Sequence, residues 1–354
     1  MSRCQILLRK AVRTLVCQFP IEPVLFCWHS NLSMHIPDGF LSVPVAASAA
    51  ALSTSGVSIA LRQAKRSLPS RQVPLLGLTA AFVFAAQMLN FPVAGGTSGH
   101  LIGSVLAAVL VGPSAAVIVL TAVLIVQCFL FADGGVTALG ANIFNMALVA
   151  PLLGYPIFKL VTKAVPGVRG RLMGAMFAAW CSTVAAALAC AGQLAASGTV
   201  VWKVALPAMG GVHMLIGVGE AAITGMVLAA IARSRPELLH GELHAAGNRG
   251  SLLTIGLVVA LGLAMFASPF ASVWPDGLEK VADSLGFGHR AVDLKLTPVP
   301  LPDYSMPGVK SPAMATALAG GVGTLAVFIA CYILARFLAP KPASNTPSSG
   351  EAAA

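Results

Sequence analysis

Residues 114–131 read SAAVIVLTAVLIVQCFLF, a run without a single charged side chain. About 18 or more consecutive apolar residues is the length that carries a helix across the hydrocarbon of a bilayer. Only a helix or a closed barrel satisfies its own backbone hydrogen bonds there. Comparable stretches lie before it at 43–61, 74–91 and 101–112, and after it at 142–162, 172–195, 207–232, 251–270 and 312–338. Together they predict an all-α membrane protein. A bundle of about seven transmembrane helices is followed by a two-helix carboxy-terminal unit, nine crossings in all. The stretch 101–112 is short, follows a glycine-rich run and ends at Gly112-Pro113, which suits a broken element buried by its neighbours. Composition agrees: 57% of the 354 residues are hydrophobic and only 10% charged, with a mean hydropathy of +0.86. No soluble globular domain has that balance.

The net charge of +10 sits in short loops, where it is a topology signal rather than a footprint for nucleic acid. With Met34 outside, Arg62, Lys65, Arg66, Arg71, Lys159, Lys163, Arg169, Arg171, Arg233, Arg235, Arg249, Arg336 and Lys341 fall inside. Lys203, Lys280, Arg290, Lys295 and Lys310 fall outside. The lipid partner is then the cytoplasmic membrane of a bacterium, with Met34 and a polar loop at 271–311 on its outer side. Residues 1–33 carry Arg3, Arg9, Lys10 and Arg13 among broken apolar stretches. They lack the continuous core of a signal peptide and read as an unused extension upstream of a start at Met34. The organisation is then a membrane domain at 34–235, an inward linker at 236–249, a second unit at 250–339 and a Pro-, Ser- and Ala-rich tail at 340–354 expected to be disordered. The seven cysteines form no CxxC pair. Cys128, Cys181, Cys190 and Cys331 lie in apolar segments, where cysteine acts as a small hydrophobe.

Chemistry concentrates in two segments. Met34-His35-Ile36-Pro37-Asp38-Gly39 opens the apolar series. If Met34 is the first residue, His35 offers one metal three nitrogens: the α-amine, its own backbone amide once deprotonated, and imidazole Nδ1. The five- and six-membered chelate rings lie nearly in one plane, a geometry suited to Ni(II) or Cu(II). Taken alone, the hexapeptide also fits a methionine beside an incidental histidine. In Ala94-Gly95-Gly96-Thr97-Ser98-Gly99-His100 the glycines permit a tight, closely approaching backbone, and His100 would supply the fourth nitrogen. Asp38 stands between Pro37 and Gly39 in the order of a tight turn. Asp133 lies in a glycine-rich turn, with Asn142 and Asn145 three apart on one helical face. These three either satisfy backbone groups at a helix start or brace the loop that closes a metal cavity. Glu220 is a lone carboxylate in the stretch 207–232, where acids are rare and functional by default. It would orient a ligand or pair with a loop donor. His240 and His244 read as solvated residues of the linker, and His289 as a surface residue.

Ordered blocks here resemble one family. Met34 to Ser42, Gly95 to Gly103, Ala132-Asp133-Gly134-Gly135, Leu139 to Met146 and Glu220 to Thr224 are similar to the CbiM/NikM family. Its members are the substrate-binding membrane subunits of cobalt and nickel energy-coupling factor transporters. Residues 271–309, with Pro275-Asp276-Gly277-Leu278-Glu279, resemble the PDGLE domain, whose company favours nickel over cobalt. The resemblance implies a metal site on Met34, His35 and His100. It also implies Ni2+ or Co2+ as transported substrate with no bound organic cofactor, and separate ABC-type ATPase subunits with a transmembrane coupling subunit. No G-x-x-x-x-G-K-[ST] or H-E-x-x-H occurs, so neither P-loop ATP hydrolysis nor zinc proteolysis is expected of this chain. No acid, base and nucleophile converge, and an enzyme is not expected. The remaining alternatives are cobalt uptake for cobalamin synthesis and a self-sufficient divalent-metal channel.

Overall fold

Glycine and proline decide where the apolar runs stop. The computed structural model describes residues 35–240, 249–292, 294 and 299–339. Helix α1 spans Val43–Ser67, and α2 spans Val73–Gln87 after a 3-10 turn at Ser70–Gln72. An antiparallel hairpin follows, β1 Phe91–Val93 and β2 Thr97–Gly99, with Val93 opposite Thr97. Next come α3 Ser104–Val111, α4 Pro113–Phe131, α5 Leu139–Ala164, α6 Gly167–Ala196, α7 Trp202–Ser234 and the short α8 Pro236–His240. The carboxy-terminal unit holds α9 Gly250–Phe270, α10 Gly277–Leu285 and α11 Pro312–Leu338.

Among the described residues, α1, α4, α5, α6, α7, α9 and α11 are the seven helices long and apolar enough to cross a membrane. The chain is therefore an all-α, multi-pass membrane protein. Two of the nine anticipated crossings are shorter than their apolar stretches. Helix α2 has 15 residues, or about 22 Å at 1.5 Å per residue. Helix α3 has 8, or about 12 Å, against a hydrocarbon thickness of about 30 Å. The chain leaves α2 for a hairpin whose turn uses Gly95 and Gly96 at φ of 86° and 70°. Gly112, at φ 85°, then ends α3 in a conformation that costs other residues energy, and Pro113 starts α4 where its missing N–H is not needed.

The irregular backbone before α3 is satisfied from neighbouring helices. The buried carboxylate of Glu220, on α7, accepts hydrogen bonds from the N–H groups of Ile102 at 2.6 Å and Gly103 at 2.9 Å. From α2, Gln87 Nε2 donates to the Ile102 carbonyl at 2.9 Å. Glu220 thus pairs with loop donors, and a segment too short to span stands buried among α4, α5 and α6. Close packing rests on small residues: a Cβ on Gly217 or Gly225 of α7 would lie 2.9 Å from Trp180 or 2.7 Å from Met176 of α6. The carboxy-terminal unit packs through α9 and α11 on α2.

Helices α1, α5, α7 and α11 carry Lys65 and Arg66, Lys163, Arg233 and Arg336 in their last turns. Ser114 Oγ donates to Gln63 Oε1 at 2.6 Å, so α4 begins where α1 ends. Replacing Glu220 by alanine strands two buried N–H groups, each worth about 1–3 kcal/mol when unsatisfied. The thermal midpoint of Glu220→Ala in detergent should fall by several degrees. Glu220→Gln, which keeps one acceptor oxygen, should fall less.

Candidate metal site

The residues that follow Met34 are held inside the bundle by their own backbone. Asp38 turns back from the chain, and its carboxylate accepts from the N–H groups of Val136 at 3.1 Å and Thr137 at 2.7 Å and from the Thr137 hydroxyl. Asn142 clasps Ile36 from both sides, accepting from its N–H at 3.0 Å and donating to its carbonyl at 3.1 Å. The Gly135 N–H adds a third bond to Ile36 at 2.9 Å. A Cβ on Gly135 would lie 2.2 Å from the Asp38 nitrogen, and one on Gly134 would lie 3.0 Å from His35 Cβ. The Ala132-Asp133-Gly134-Gly135 turn is therefore glycine-rich for lack of room. Asn145 pairs with Gln193 through reciprocal amide bonds of 2.9 and 3.0 Å.

This docking buries His35 to 3% exposure and brings its ring to His100, with centroids 5.7 Å apart and planes at 45°. His35 Nδ1 lies 2.8 Å from Asp133 Oδ1. The chelate anticipated from the hexapeptide uses that same nitrogen, so closing it requires the imidazole to turn about Cβ–Cγ. Met34 and His244 lie outside the described residues, as does the His240 side chain. His289 sits in an exposed 3-10 turn. Among the described residues no three His, Cys, Asp or Glu side chains gather as a metal cluster.

Electrostatics separates the two histidines. Burial, and then the neighbouring His35, push His100 down to about 4, so it is the neutral imidazole that metals bind. Burial also works against a charge on His35, but the Asp133 carboxylate outweighs it and raises the pKa above the ordinary value. Asp133 is likewise buried, yet the His35 ring and hydrogen bonds from His35 and Tyr304 hold its carboxyl below the usual range.

A cavity of about 80 Å³ lies against both rings, with Asn142 and Asn145 in its wall. It has the size of an ion with a few waters, far below the roughly 300 Å³ of a pocket for an organic ligand. Three wall or support residues escaped the sequence reading. His213 of α7 lines the cavity, its Nδ1 2.8 Å from the Met209 carbonyl; a histidine inside an apolar helix was the available signal. Asp276 also lines it, and its side chain caps α10 by accepting from the Glu279 N–H at 2.8 Å. Burial pushes the Asp276 carboxyl up to about 7. Tyr304 donates to Asp133 Oδ2 at 2.6 Å and accepts from Gln127 Nε2 at 3.1 Å. It stands in a proline-rich loop with no periodicity, where only the scarcity of tyrosine could have drawn notice.

Residues 35–238 match the family described as a cobalt uptake substrate-specific transmembrane region, CbiM, and residues 250–340 match the PDGLE domain. The chain is 36% identical over 307 residues to the "Putative fused nickel transport protein NikMN" of Archaeoglobus fulgidus, covering 86% of this chain and 99% of that one. It is 38% identical over 221 residues to the "Fused nickel transport protein NikMN" of Rhodobacter capsulatus, covering 58% and 64%. A "Cobalt transport protein CbiM" of Ruminiclostridium cellulolyticum is 35% identical over 149 residues, covering 41% and 60%. A crystal structure of a transition metal transporter superposes with a TM-score of 0.53 at 34% identity, covering 60% of this chain and all of that one. These relatives are metal transporters and not enzymes.

Gly135→Ala should displace the turn that seats His35 and lower the detergent thermal midpoint markedly, because the clash falls on backbone. Gly211→Ala, on α7 with nothing within 4 Å of its Cβ, should be neutral or slightly stabilising. Equal behaviour of the two variants would show that the turn yields freely.

Proposed function

This chain belongs to the CbiM family and carries a PDGLE domain behind the CbiM region, and on that premise we propose that it captures Ni2+ outside a bacterial cytoplasmic membrane as the substrate-specific part of an ATP-driven energy-coupling factor transporter. The observation that carries the reading is the buried pair of imidazoles at 5.7 Å, one of them on the segment that follows Met34. The proposed donors are the Met34 amine, the His35 amide and imidazole, and the His100 imidazole. The site needs Met34 to begin the chain, because a preceding residue would turn its amine into an amide. Asp38, Asn142 and Asp133 seat His35; Glu220 holds the backbone just after His100; Asn145 lines the ion's cavity. Basic last turns on α1, α5, α7 and α11 support an inward orientation for the end opposite the site.

Nickel is favoured over cobalt because a relative matching over 86% of this chain and 99% of its own length is named for nickel transport. Cobalt is the second reading, supported by the family's description, since both ions accept nitrogen ligands. Release inward would be driven by separate ABC-type ATPase subunits through a transmembrane coupling subunit; this chain contains no P-loop sequence.

His35→Ala and His100→Ala should each abolish tight nickel binding by the purified protein, and His240→Ala should leave it intact. In vesicles that also hold the ATPase and coupling subunits, uptake should require ATP and vanish with either of the first two variants. Uptake by this chain alone, indifferent to ATP, would identify a channel instead.

Affinity should also depend on pH, with a sign set by His35. Protons and the ion compete for its imidazole, and Asp133 raises that imidazole's pKa. Binding should therefore strengthen as pH rises and weaken as pH falls, beginning above the ordinary imidazole value of about 6.5. Each proton displaced per ion contributes about a tenfold change per pH unit on the acid side. Equilibrium titration across that range, with wild type and Asp133→Asn side by side, should show the onset at lower pH in the variant. Affinity flat across the range would show that imidazole does not hold the ion.

A further inference from the structure

The chelate proposed for the ion is not yet formed when the ion arrives. His35 Nδ1, one of its four nitrogens, lies 2.8 Å from Asp133 Oδ1, so that contact must break and the ring must turn before this nitrogen meets a metal. An ion entering the cavity has to be held by other groups while the amino-terminal donors come round. A side chain fit for that task has a neutral nitrogen in the cavity wall whose orientation is set without the ion.

His213 meets these conditions. A carbonyl can only accept, so the 2.8 Å contact between His213 Nδ1 and the Met209 carbonyl puts the ring hydrogen on Nδ1. Nε2 is then the basic nitrogen. A metal-binding histidine characteristically donates one ring N–H to a carbonyl or carboxylate and gives the other nitrogen to the ion. Met209 lies one turn earlier on the same helix, so this orientation is built into α7. The Cε1–Nε2 edge of the ring faces Gly277, where a Cβ would lie 2.7 Å from Cε1 and 2.9 Å from Nε2. A side chain at 277 would stand on the basic edge of the ring. Glycine leaves that edge to the cavity, which both residues line.

The position along α7 also fits. Ile216 reaches the end of the hairpin, since a Cβ on Gly99 would lie 2.5 Å from its Cγ2. Glu220 holds Ile102 and Gly103 one turn further on. His213 precedes Ile216 by about 4.5 Å of helix rise, towards the end where α7 begins, which is the outer end in the proposed orientation. Its ring is close enough to His100 to disfavour a proton on that imidazole. Among the described residues no third His, Cys, Asp or Glu side chain joins such a pair as a cluster. Two imidazoles with water completing the shell hold an ion loosely and can release it.

We propose that His213 is an entry ligand: its Nε2 replaces a water on the incoming Ni2+ and holds the ion against His100 until the Met34 and His35 donors close. This rests on the reading of Met34, His35 and His100 as the final nickel ligands. The exchange releases no proton, because Nδ1 keeps its hydrogen on the Met209 carbonyl. Once four nitrogens complete a tetragonal set, His213 lets go.

Stopped-flow mixing of Ni2+ with the purified full chain should show two phases. The fast one grows with nickel concentration, and the slower one forms the absorption band of the four-nitrogen complex. His213→Ala and His213→Gln should lose the fast phase, lowering the rate of capture far more than the equilibrium affinity. His289→Ala, in the exposed turn, should keep both phases. A second measurement traps the ion on the way in. His35→Ala cannot close the chelate, so it should retain weak nickel binding in equilibrium dialysis, and His35→Ala combined with His213→Ala should lose it. Single-phase capture by the wild type, or a wild-type fast phase in the His213 variants, would overturn the proposal and leave the tight site standing. Weak binding that is absent from His35→Ala, or that survives the loss of His213, would overturn it as well. A wild-type chain that never binds nickel tightly would sink the reading of the site and this inference with it.

Discussion

Non-helical backbone inside a membrane bundle must find its hydrogen-bond partners in protein, and that demand organises this molecule. A lipid-exposed N–H or carbonyl costs several kcal/mol, so each break in a helix near the site is matched by a polar side chain from elsewhere. Glu220 serves the break before α3, with Gln87 on the other side of Ile102. Asp38 serves the loop after α4, and Asn142 serves Ile36. These side chains are among the buried polar residues of a mostly apolar interior, and three of the four sit on transmembrane or buried helices. Because each is committed to backbone, the loops they hold have little freedom to move without leaving unpaired groups behind. The histidines inherit that rigidity. His100 stands two residues before the first N–H taken by Glu220, and His35 directly precedes the residue clasped by Asn142.

The same compactness sets the electrostatics of the cavity. Burial disfavours charge on every titratable group around it, and only a specific partner reverses that tendency. His100 lacks a carboxylate partner and is pushed towards neutrality. Asp276, buried and accepting a backbone N–H of its own helix, is pushed up to about 7 chiefly by that burial. His35 and Asp133 hold each other in the opposite sense. The Asp133 carboxylate, held below the usual range, lies behind the His35 imidazole. Imidazoles of His35, His100 and His213 stand in the cavity wall together with the Asp276 carboxyl and the Asn142 and Asn145 amides.

The two sequence families in the chain are interleaved in space at the site. Trp274 and Pro275 present carbonyls to the hairpin, accepting from the Ser98 hydroxyl at 2.7 Å and from the Ser98 N–H at 2.8 Å. Val292 donates to the Asp38 carbonyl at 2.9 Å, and Arg290 and Val292 leave no room for a Cβ on Gly39. The turn that carries His35 and the strand that leads to His100 are therefore each shaped partly by residues beyond position 250.

Much of this was legible along the chain. Hydropathy decided the all-α membrane class, because backbone in lipid has so few ways to be satisfied. The blocks around His35, His100, Asp133, Asn142 and Glu220 pointed to one family and to the segments that meet. Local order also marked Asp38 and Gly39 as a turn, and the crowded glycines as places of close approach. What tertiary structure alone decided was length, partnership and atom. Whether 101–112 would span depended on Glu220 being present to take its loose N–H groups, a residue more than a hundred positions away. That His35 would meet Asp133 through Nδ1 depended on how the amino-terminal segment is clasped. Tyr304 was invisible for a physical reason: a loop side chain that reaches across the fold leaves no period, spacing or motif behind. Its role is set by distance in space, which a linear pattern does not record.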